Sequence, residues 1–330
     1  MIETATRTLP ADAITVAICT YNNAPLLART LESIERLQVD PTVNWSVLVV
    51  DNNCTDHTRQ VVQEHFDRKK LPGLRIVSET QQGLTYSRRR AVLETTASLI
   101  AFVDDDCQLS ANWIQEMVDF FAEHSNAGAV GGQVELHWET EPTPDALRLA
   151  RGYAKQDYGN DRLQLTNHDG NHLVGAGLVL RRQALLDSKW TERSYLSDRA
   201  GTRLTAGGDT EIIIRIRQCG YELWYTPAAV LQHFVPERRM TLGYLCRLYR
   251  GFGESEVMLR TLARGKPADL VWRMRLLKMA CAYLGRRSAA FLVHDLVLRR
   301  PVDNFRRVQI YEALGQVSSA WRLLWKGLPV

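Results

Sequence analysis

The sequence predicts an α/β fold built on a largely parallel sheet. Short apolar runs alternate with segments whose apolar residues recur at helical spacing, which is the pattern of repeated βαβ units. The apolar runs contain few polar residues, as expected for strands covered on both faces. The first runs end in carboxylates or amides, and open α/β sheets bind ligands at the carboxyl ends of their strands. A chain of 330 residues is long enough for such a domain and an appendage.

The first half of the chain supplies four strands, each followed by a helix. The strands are predicted over residues 14–20, 45–50, 74–77 and 99–103. The helices are predicted over residues 26–37, from 55 or 56 onward, 86–95 and 111–124. Right-handed crossovers bring the loops after parallel strands to one edge of the sheet. The loops at residues 20–23, 51–53 and 104–106 are therefore expected to face one cleft.

After residue 128 the alternation becomes irregular. Strands are predicted over residues 129–136, 172–181 and 222–233, and a helix over 209–219. Residues 139–169 and 188–208 are polar and are predicted to be loops, the first of them with a short helix. From residue 239 onward we expect helices.

Three consecutive carboxylates, Asp104, Asp105 and Asp106, follow the apolar run 100–103. Adjacent carboxylates repel one another unless a cation neutralises them. Hard oxygen ligands suit Mg²⁺ or Mn²⁺, which commonly bridge carboxylates to substrate phosphates. The alternative is a solvated acidic turn that caps the helix 111–124. The convergence of three polar strand ends favours a binding site.

Charge is distributed unevenly along the chain. Residues 236–330 hold 18 Lys and Arg and 7 Asp and Glu, a net +11, while the whole chain carries +4, so residues 1–235 carry −7. A basic tail suggests an anionic partner. Residues 270–298 mix apolar and aromatic side chains with cations, which fits either a membrane-interface helix or a packed subdomain with a solvated basic face. Without a recognisable reading module, nucleic-acid binding is not expected.

The cysteines and the hydropathy of the chain predict a reducing compartment. None of the six cysteines forms a CxxC pair, and Cys19, Cys107 and Cys219 lie in or beside apolar segments, where a thiol is usually buried. Residues 1–12 lack the apolar stretch of a secretory signal, and no apolar run is long enough to span a bilayer. We therefore expect a cytoplasmic protein, either free or peripheral on the inner face of the cytoplasmic membrane.

The order of several short motifs resembles that of the family 2 glycosyltransferases. The matching segments are residues 16–22, 49–56, 83–88, 102–106, 175–177 and 207–211, followed by the strand that closes on His233. The resemblance covers about residues 14–235. It implies a GT-A fold, a Rossmann-like mixed sheet flanked by helices, with a C-terminal helical extension. The implied catalytic domain is 1–235, with a nucleotide-sugar half at about 14–106, an acceptor half at 107–235 and a basic helical extension at 236–330.

The resemblance also implies a donor site and a metal site. Asp106 is implied to bind Mg²⁺ or Mn²⁺, with Asp104 contacting either the cation or the ribose. His233 is implied to reach the metal or the diphosphate, although it could simply end its strand. The implied donor-binding residues are Thr20, Tyr21, Asn22, Asp51, Arg88, Asp104, Asp105, Gly175, Ala176 and Gly177.

Two of these donor-site assignments have structural alternatives. Asp51 is placed to accept a hydrogen bond from a uracil or thymine imide, but Asp at this point also forms ordinary turns. Gly175, Ala176 and Gly177 suit a close approach of the backbone to the donor sugar, or a strand bulge. Arg89 and Arg90, beside Arg88, are expected to be solvated.

On the acceptor side, the resemblance implies that Asp209 is the general base. Gly208 stands where the family usually has Glu, which puts a secondary acceptor contact in doubt. Glu211 is the alternative base, or an acid that stabilises the helix dipole. The implied activity is metal-dependent, inverting transfer from a nucleoside-diphosphate sugar, UDP or dTDP favoured, to a growing glycan or lipid-linked saccharide.

Two other classes compete with a glycosyltransferase. A nucleotidyltransferase would need a Gly-rich, basic phosphate loop after the first strand, and residues 20–25 contain neither glycine nor a basic residue. A non-catalytic scaffold of the same fold would tolerate loss of the acids, which are present in this chain.

Overall fold

The computed structural model describes residues 12–166, 172–196, 198, 204–297 and 303–327. Within these ranges nine strands form one mixed sheet. The strands are β1 (Asp12–Thr20), β2 (Asn44–Asp51), β3 (Arg75–Ser78), β4 (Leu99–Asp104), β5 (Cys107–Leu109), β6 (Ala127–Trp138), β7 (Leu163–Gln164), β8 (Leu178–Arg181) and β9 (Glu222–Val235). The α-helices are α1 (Ala24–Ile34), α2 (Thr58–Arg68), α3 (Leu84–Glu94), α4 (Trp113–Glu123), α5 (Pro144–Arg148), α6 (Arg182–Asp187), α7 (Gly208–Gln218), α8 (Leu242–Ala263), α9 (Leu270–Phe291) and α10 (Asn304–Lys326).

The first half of the sheet is parallel, as the sequence predicts. The strand order β3-β2-β1-β4 brings the carboxyl ends of these strands to one edge. Ala17 lies opposite both Leu48 and Phe102, and Thr20 lies opposite Asp51. These strands lack alternation because both faces are covered: residues Val47, Leu48, Val49 and Val50 are each 0% exposed.

The second half of the sheet is antiparallel and continues in the order β8-β6-β9-β5, with β7 paired to β9. The strand predicted over 172–181 is wrong in its first part, because β8 begins only at Leu178. Gly177 adopts φ +73° and its N–H donates to the carbonyl of Phe102 at 3.0 Å, which ends the extended geometry before β8. The sequence did not predict β5 or β7, which are too short to show a pattern.

Helices pack on the sheet through large apolar side chains. Leu27 and Leu31 of α1 and Trp113 and Phe120 of α4 are fully buried in one cluster with the strands. Burial of each such side chain stabilises the fold by about 1.5–3 kcal/mol. This cluster fixes the strand ends from which the site loops emerge.

The chain divides into two compact units. The first comprises Met1–His137, Ala154–Arg193 and Arg215–Phe234, and the second comprises Trp138–Tyr153, Ser194–Ile214 and Val235–Val330. Two segments before residue 235 thus belong to the second unit. The assignment of separate functions to residues 1–235 and 236–330 stays a prediction. Parts of the two predicted loops, residues 167–169, 197 and 199–203, lie outside the described residues.

Glycines set the packing of the second unit. A Cβ on Gly253 of α8 would lie 1.9 Å from the carbonyl oxygen of Glu312, and one on Gly315 of α10 would lie 2.1 Å from that of Arg250. The two helices therefore pack with their backbones in close contact. Helix α9 adds Leu276 and Ala280 to the buried cluster of this unit.

All six cysteines are free. Cys107 is buried and Cys19 is partly buried, but Cys219 is exposed, which corrects the prediction that its thiol is buried. It follows the last turn of α7, where the helix has left the core. None of the helices in the described part of the chain combines the length and apolarity needed to cross a membrane.

The close approach of β6 to β9 is testable. A Cβ on Gly132 would lie 1.9 Å from the backbone carbonyl oxygen of Ala229, so Gly132→Ala is expected to lower the free energy of unfolding by about 1–3 kcal/mol. Gly285→Ala is the matched control, because no atom lies within 4 Å of a Cβ there, and it is expected to stabilise α9 by about 0.5–1 kcal/mol. Urea unfolding measures both. Equal stability of Gly132→Ala and wild type would contradict the described strand contact.

Candidate functional site

Strand β4 ends in the acidic triplet. Asp104 closes the strand, Asp105 and Asp106 form a turn, and β5 starts at Cys107. One oxygen each of Asp104 and Asp106 and a ring nitrogen of His233 lie within 4.8 Å of one another. Asp106 and His233 are buried and Asp104 is partly exposed. The triplet is therefore not the solvated turn that the sequence left open as an alternative.

The pairing of β5 with β9 brings His233 to the triplet. Cys107 lies opposite His233, and the N–H of Phe234 donates to the carbonyl oxygen of Asp106 at 2.9 Å. Nε2 of His233 lies 3.2 Å from Oδ1 of Asp106. Adjacent ligands of an octahedral cation, each at about 2.1 Å, lie about 3 Å apart. The spacing and the donor set of two carboxylates and an imidazole therefore fit a divalent cation such as Mn²⁺ or Mg²⁺.

Arg88 of α3 is buried beside the carboxylates. Its side chain is 4% exposed, its Nη2 lies 3.8 Å from Oδ1 of Asp104, and its guanidinium lies 5.4 Å from the centre of the Phe102 ring. This buried cation offsets part of the repulsion among the acids. Arg89, expected to be solvated, instead donates from Nε to the carbonyl oxygen of Thr191 at 2.7 Å.

The carboxylate of Asp105 contacts the loop after β1 and is not part of the cluster of Asp104, Asp106 and His233. Its carboxylate accepts hydrogen bonds from the hydroxyl of Thr20 at 2.6 Å and from Nδ2 of Asn23 at 2.7 Å. Its backbone carbonyl accepts from the hydroxyl of Thr30. Burial and the neighbouring charge of Asp106 nevertheless raise the pKa of Asp105 to about 7. These contacts brace the acidic turn against the loop after β1, and a direct donor contact by Asp105 stays a prediction.

Asp51 closes β2 with both carboxylate oxygens in contact with protein groups. Oδ1 accepts from the N–H of Cys54 at 2.8 Å, and Oδ2 lies 2.7 Å from Nη2 of Arg59. The contact with Cys54 is the turn-forming interaction that the sequence left open. Recognition of a base by Asp51 stays a prediction, and it would have to use the remaining lone pairs.

The loop after β1 is tied to the loop after β2. Asn22 adopts φ +50°, and its Oδ1 accepts from the N–H of Thr55 at 2.7 Å. The carbonyl of Thr20 accepts from the N–H of Asn52 at 3.0 Å, so that backbone group already has a partner. Tyr21 is 47% exposed. The side chain of Tyr21 is therefore accessible to a ligand.

Two asparagines that the sequence did not assign hold the site loops. Asn23 bonds Asp105, as described above. Asn52 is buried; its Nδ2 donates to the carbonyl oxygens of Glu79 and Gln81, and its Oδ1 accepts from the N–H of Gly83 at 2.8 Å. Asn52 therefore joins the loops that follow β2 and β3. The amide-rich motif after Asp51 was the sequence signal that could have identified Asn52.

The segment of Gly175, Ala176 and Gly177 precedes β8. Ala176 is 2% exposed, and a Cβ on Gly177 would lie 2.2 Å from Cδ2 of Leu231. Packing and the positive φ thus explain why position 177 is glycine, and this explanation needs no contact with a ligand. Approach of this segment to a donor sugar stays a prediction.

Comparison with known proteins identifies the family. The model of Glycosyl transferase family 2 matches residues 15–187, more than half of the chain. The chain belongs to this family. It is 25% identical over 245 residues to the glucosyl-dolichyl phosphate glucuronosyltransferase of Haloferax volcanii, covering 72% of this chain and 74% of that protein. It is 26% identical over 253 residues to the succinoglycan biosynthesis protein ExoM of Rhizobium meliloti, covering 76% and 75%.

Solved structures confirm the GT-A fold. The mannosyltransferase PcManGT from Pyrobaculum calidifontis, in complex with GDP-Man and Mn²⁺, aligns with a TM-score of 0.59 at 19% identity, over 94% of this chain and 87% of that one. S. aureus TarS 1-349 with UDP-GlcNAc aligns with a TM-score of 0.55 at 13% identity, over 94% and 91%. This family 2 member is therefore a glycosyltransferase, and the nucleotidyltransferase alternative finds no support.

The two acids predicted for the acceptor side of this family 2 glycosyltransferase, Asp209 and Glu211, lie in the first turn of α7, in the second unit. Oδ1 of Asp209 accepts from the N–H of Thr210 at 2.7 Å, and Asp209 is half-buried. Glu211 is 0% exposed, and its carboxylate accepts from the N–H groups of Tyr195 and Leu196 at 2.8–3.0 Å. Glu211 thus anchors a neighbouring loop, which makes it a poor proton acceptor for a substrate.

Asp198 occupies the space that a side chain at Gly208 would need. The N–H of Gly208 donates to Oδ1 of Asp198 at 2.8 Å, and a Cβ on Gly208 would lie 2.3 Å from Oδ2. Asp198 is 5% exposed. The sequence shows that Glu is missing at position 208 but carries no signal for Asp198, which lies in a polar loop without a motif.

This contact predicts coupling between the two positions. Gly208→Ala is expected to displace the carboxylate and lower the free energy of unfolding by about 1–3 kcal/mol, because a buried charged hydrogen bond is lost. In an Asp198→Gly background the same change should cost much less. Gly243→Ala, also in a first helical turn but with only an ordinary 3.7 Å contact, is the control. Additive effects in the double variant, measured by urea unfolding, would refute the contact.

Proposed function

We propose that this family 2 glycosyltransferase is a metal-dependent, inverting enzyme that moves a sugar from a nucleoside-diphosphate sugar to an acceptor hydroxyl. The observation that carries the proposal is the cluster of Asp104, Asp106 and His233 beside the buried Arg88 at the edge of the parallel sheet. Asp104, Asp106 and His233 would hold Mg²⁺ or Mn²⁺. When bound, the cation would supply positive charge against the departing diphosphate.

The nucleotide would bind along the loops that follow β1, β2 and β4. Tyr21 supplies an exposed aromatic face, and the backbone of Thr20 and Asn22 lies beside it. Asp51 is the candidate base contact, for which UDP or dTDP is favoured. Arg88, together with Asp104 and Asp105, would face the ribose and diphosphate, and Gly175, Ala176 and Gly177 the donor sugar. The two solved structures of the same fold were crystallised with different nucleotide sugars, GDP-Man and UDP-GlcNAc, so the fold alone does not select the nucleotide.

Asp209 is the proposed general base. The acceptor oxygen would attack the anomeric carbon, its proton would pass to the Asp209 carboxylate, and the bond from that carbon to the diphosphate would break. One displacement from the opposite face inverts the anomeric configuration. The buried hydrogen bonds of Glu211 to backbone N–H groups support Asp209 over Glu211. Gly208 lacks the side chain of the Glu that usually stands before this Asp, so an acceptor contact there would have to use its backbone.

The proposed acceptor is a growing glycan or a lipid-linked saccharide, in polysaccharide or glycolipid biosynthesis. Support comes from the relatives named for succinoglycan biosynthesis and for transfer to glucosyl-dolichyl phosphate. An enzyme that acts on a lipid-linked acceptor has to reach the membrane surface. The proposed location is therefore the cytoplasmic face of the membrane.

Nucleotide binding through the metal cluster is tested by thermal shift with UDP, dTDP and GDP, with and without Mn²⁺. At 100 times the dissociation constant, one nucleotide with Mn²⁺ should stabilise wild type by about 2.7 kcal/mol, because it binds only the folded state. Asp106→Asn should lose this shift, whereas Asp119→Asn, an exposed acid of α4, should keep it. A wild-type thermal shift in Asp106→Asn would mean that the cluster does not take part in donor binding. No shift with any nucleotide would favour the non-catalytic scaffold.

The base assignment is tested by pairing Asp209→Asn with Glu211→Gln. Asp209→Asn should lower kcat about 10²- to 10⁴-fold while the nucleotide-dependent thermal shift is unchanged. Glu211→Gln should chiefly lower the melting temperature, because it weakens two buried bonds to backbone N–H groups. Transfer at the wild-type rate by Asp209→Asn would exclude Asp209 as the base. A product that retains the anomeric configuration, as determined by NMR, would exclude a single displacement.

A further inference from the structure

Helix α9 has an unusual charge composition. Its 22 residues contain five cations and no acidic residue. The cations are Arg273, Arg275, Lys278, Arg286 and Arg287. Arg273 donates to the carbonyl oxygen of Ala268, and Arg287 lies 4.9 Å from the centre of the Tyr283 ring. Arg275, Lys278 and Arg286 are exposed.

The exposed side of α9 also carries large apolar side chains. Leu270, Val271 and Met274 are 61%, 72% and 51% exposed. Leu276 and Ala280 are buried in the second unit, so packing uses the other side of the helix. We call the exposed side the α9 outer face; it comprises Leu270, Val271, Met274, Arg275, Lys278, Met279 and Arg286.

The end of α10 adds two tryptophans near the start of α9. Trp321 and Trp325 are 54% and 71% exposed, and their ring centres lie 5.7 Å apart. A Cβ on Gly327 would lie 3.5 Å from Nη2 of Arg273, so the C-terminal end of α10 adjoins the first turn of α9. Tryptophan is enriched where a membrane meets water, because its ring is apolar and its N–H is polar.

We propose that the α9 outer face docks on an anionic lipid bilayer. Exposed apolar side chains interleaved with cations suit the boundary between acyl chains and anionic headgroups, where each Lys or Arg adds attraction. Charge complementarity favours this occupant over a second copy of the chain, since a two-fold contact would place the cations of one α9 against those of the other. The net +11 of residues 236–330 adds to the attraction.

The charge contribution is tested by sedimentation of the full chain with vesicles of phosphatidylcholine alone or mixed with phosphatidylglycerol. Wild type should bind the anionic vesicles on the order of 100-fold more tightly, and high salt should abolish the difference. Arg275→Gln/Lys278→Gln/Arg286→Gln should remove the preference. Arg36→Gln/Lys69→Gln/Lys155→Gln, which removes three exposed cations of the first unit, should retain it. Equal loss in both variants would overturn the proposal, because binding would then follow net charge alone.

The apolar contribution has its own pair of variants. Leu270→Ser/Val271→Ser/Met274→Ser should weaken anionic-vesicle binding at least tenfold, whereas Phe66→Ser/Leu93→Ser, at exposed apolar positions of the first unit, should not. A concentration-dependent dimer by light scattering, absent in the α9 variant, would assign this face to a second copy and overturn the proposal. The vesicle experiments use no sugar donor, so a failure to bind vesicles would not contradict the proposed transferase activity. Likewise, a failure of the transferase tests would not contradict membrane docking.

Discussion

The pairing of the three-residue strand β5 with β9 is the constraint on which the candidate site depends. In the sheet order, β5 lies four strand spacings from β4, about 19 Å in a flat sheet. The three residue steps from Asp104 to Cys107 span at most about 11 Å. The sheet must therefore curve between β4 and β5, so that the end of β9 lies near the end of β4. That curvature places His233 beside Asp106 and turns an acidic loop into a candidate metal site.

Electrostatics explains why this turn needs so many supporting contacts. Three neighbouring carboxylates, of which Asp106 is buried and Asp104 partly exposed, repel one another. Arg88 lies near Asp104, whereas Thr20 and Asn23 donate to Asp105. Burial and the charge of Asp106 still raise the pKa of Asp105. A cation held by Asp104, Asp106 and His233 would further reduce the repulsion among the carboxylates. Cation binding is therefore expected to stabilise this turn.

The sequence was sufficient for the features that depend on local pattern. Apolar runs predicted the parallel strands, and the polar residues after them predicted the loops that meet at one edge of the sheet. The errors have long-range causes. Gly177 bonds the carbonyl oxygen of Phe102 and packs against Leu231, so the strand predicted over 172–181 begins only after it. Arg89, predicted to be solvated, instead donates to the carbonyl oxygen of Thr191. No window of sequence contains both partners of such contacts. Asp198 was missed for a different reason: it lies only ten residues before Gly208, but its loop has no motif of its own.

The C-terminal helices show why two interpretations of one segment need not exclude each other. Composition alone left open whether residues 270–298 pack on the protein or face a membrane. In α9, Leu276 and Ala280 are buried within the second unit, so packing is established for one side of the helix. Packing does not account for Leu270, Val271 and Met274, which stay exposed among cations. A helix that only packed would be expected to carry polar residues on its outer side. The apolar outer side is therefore the feature that a docking function has to explain.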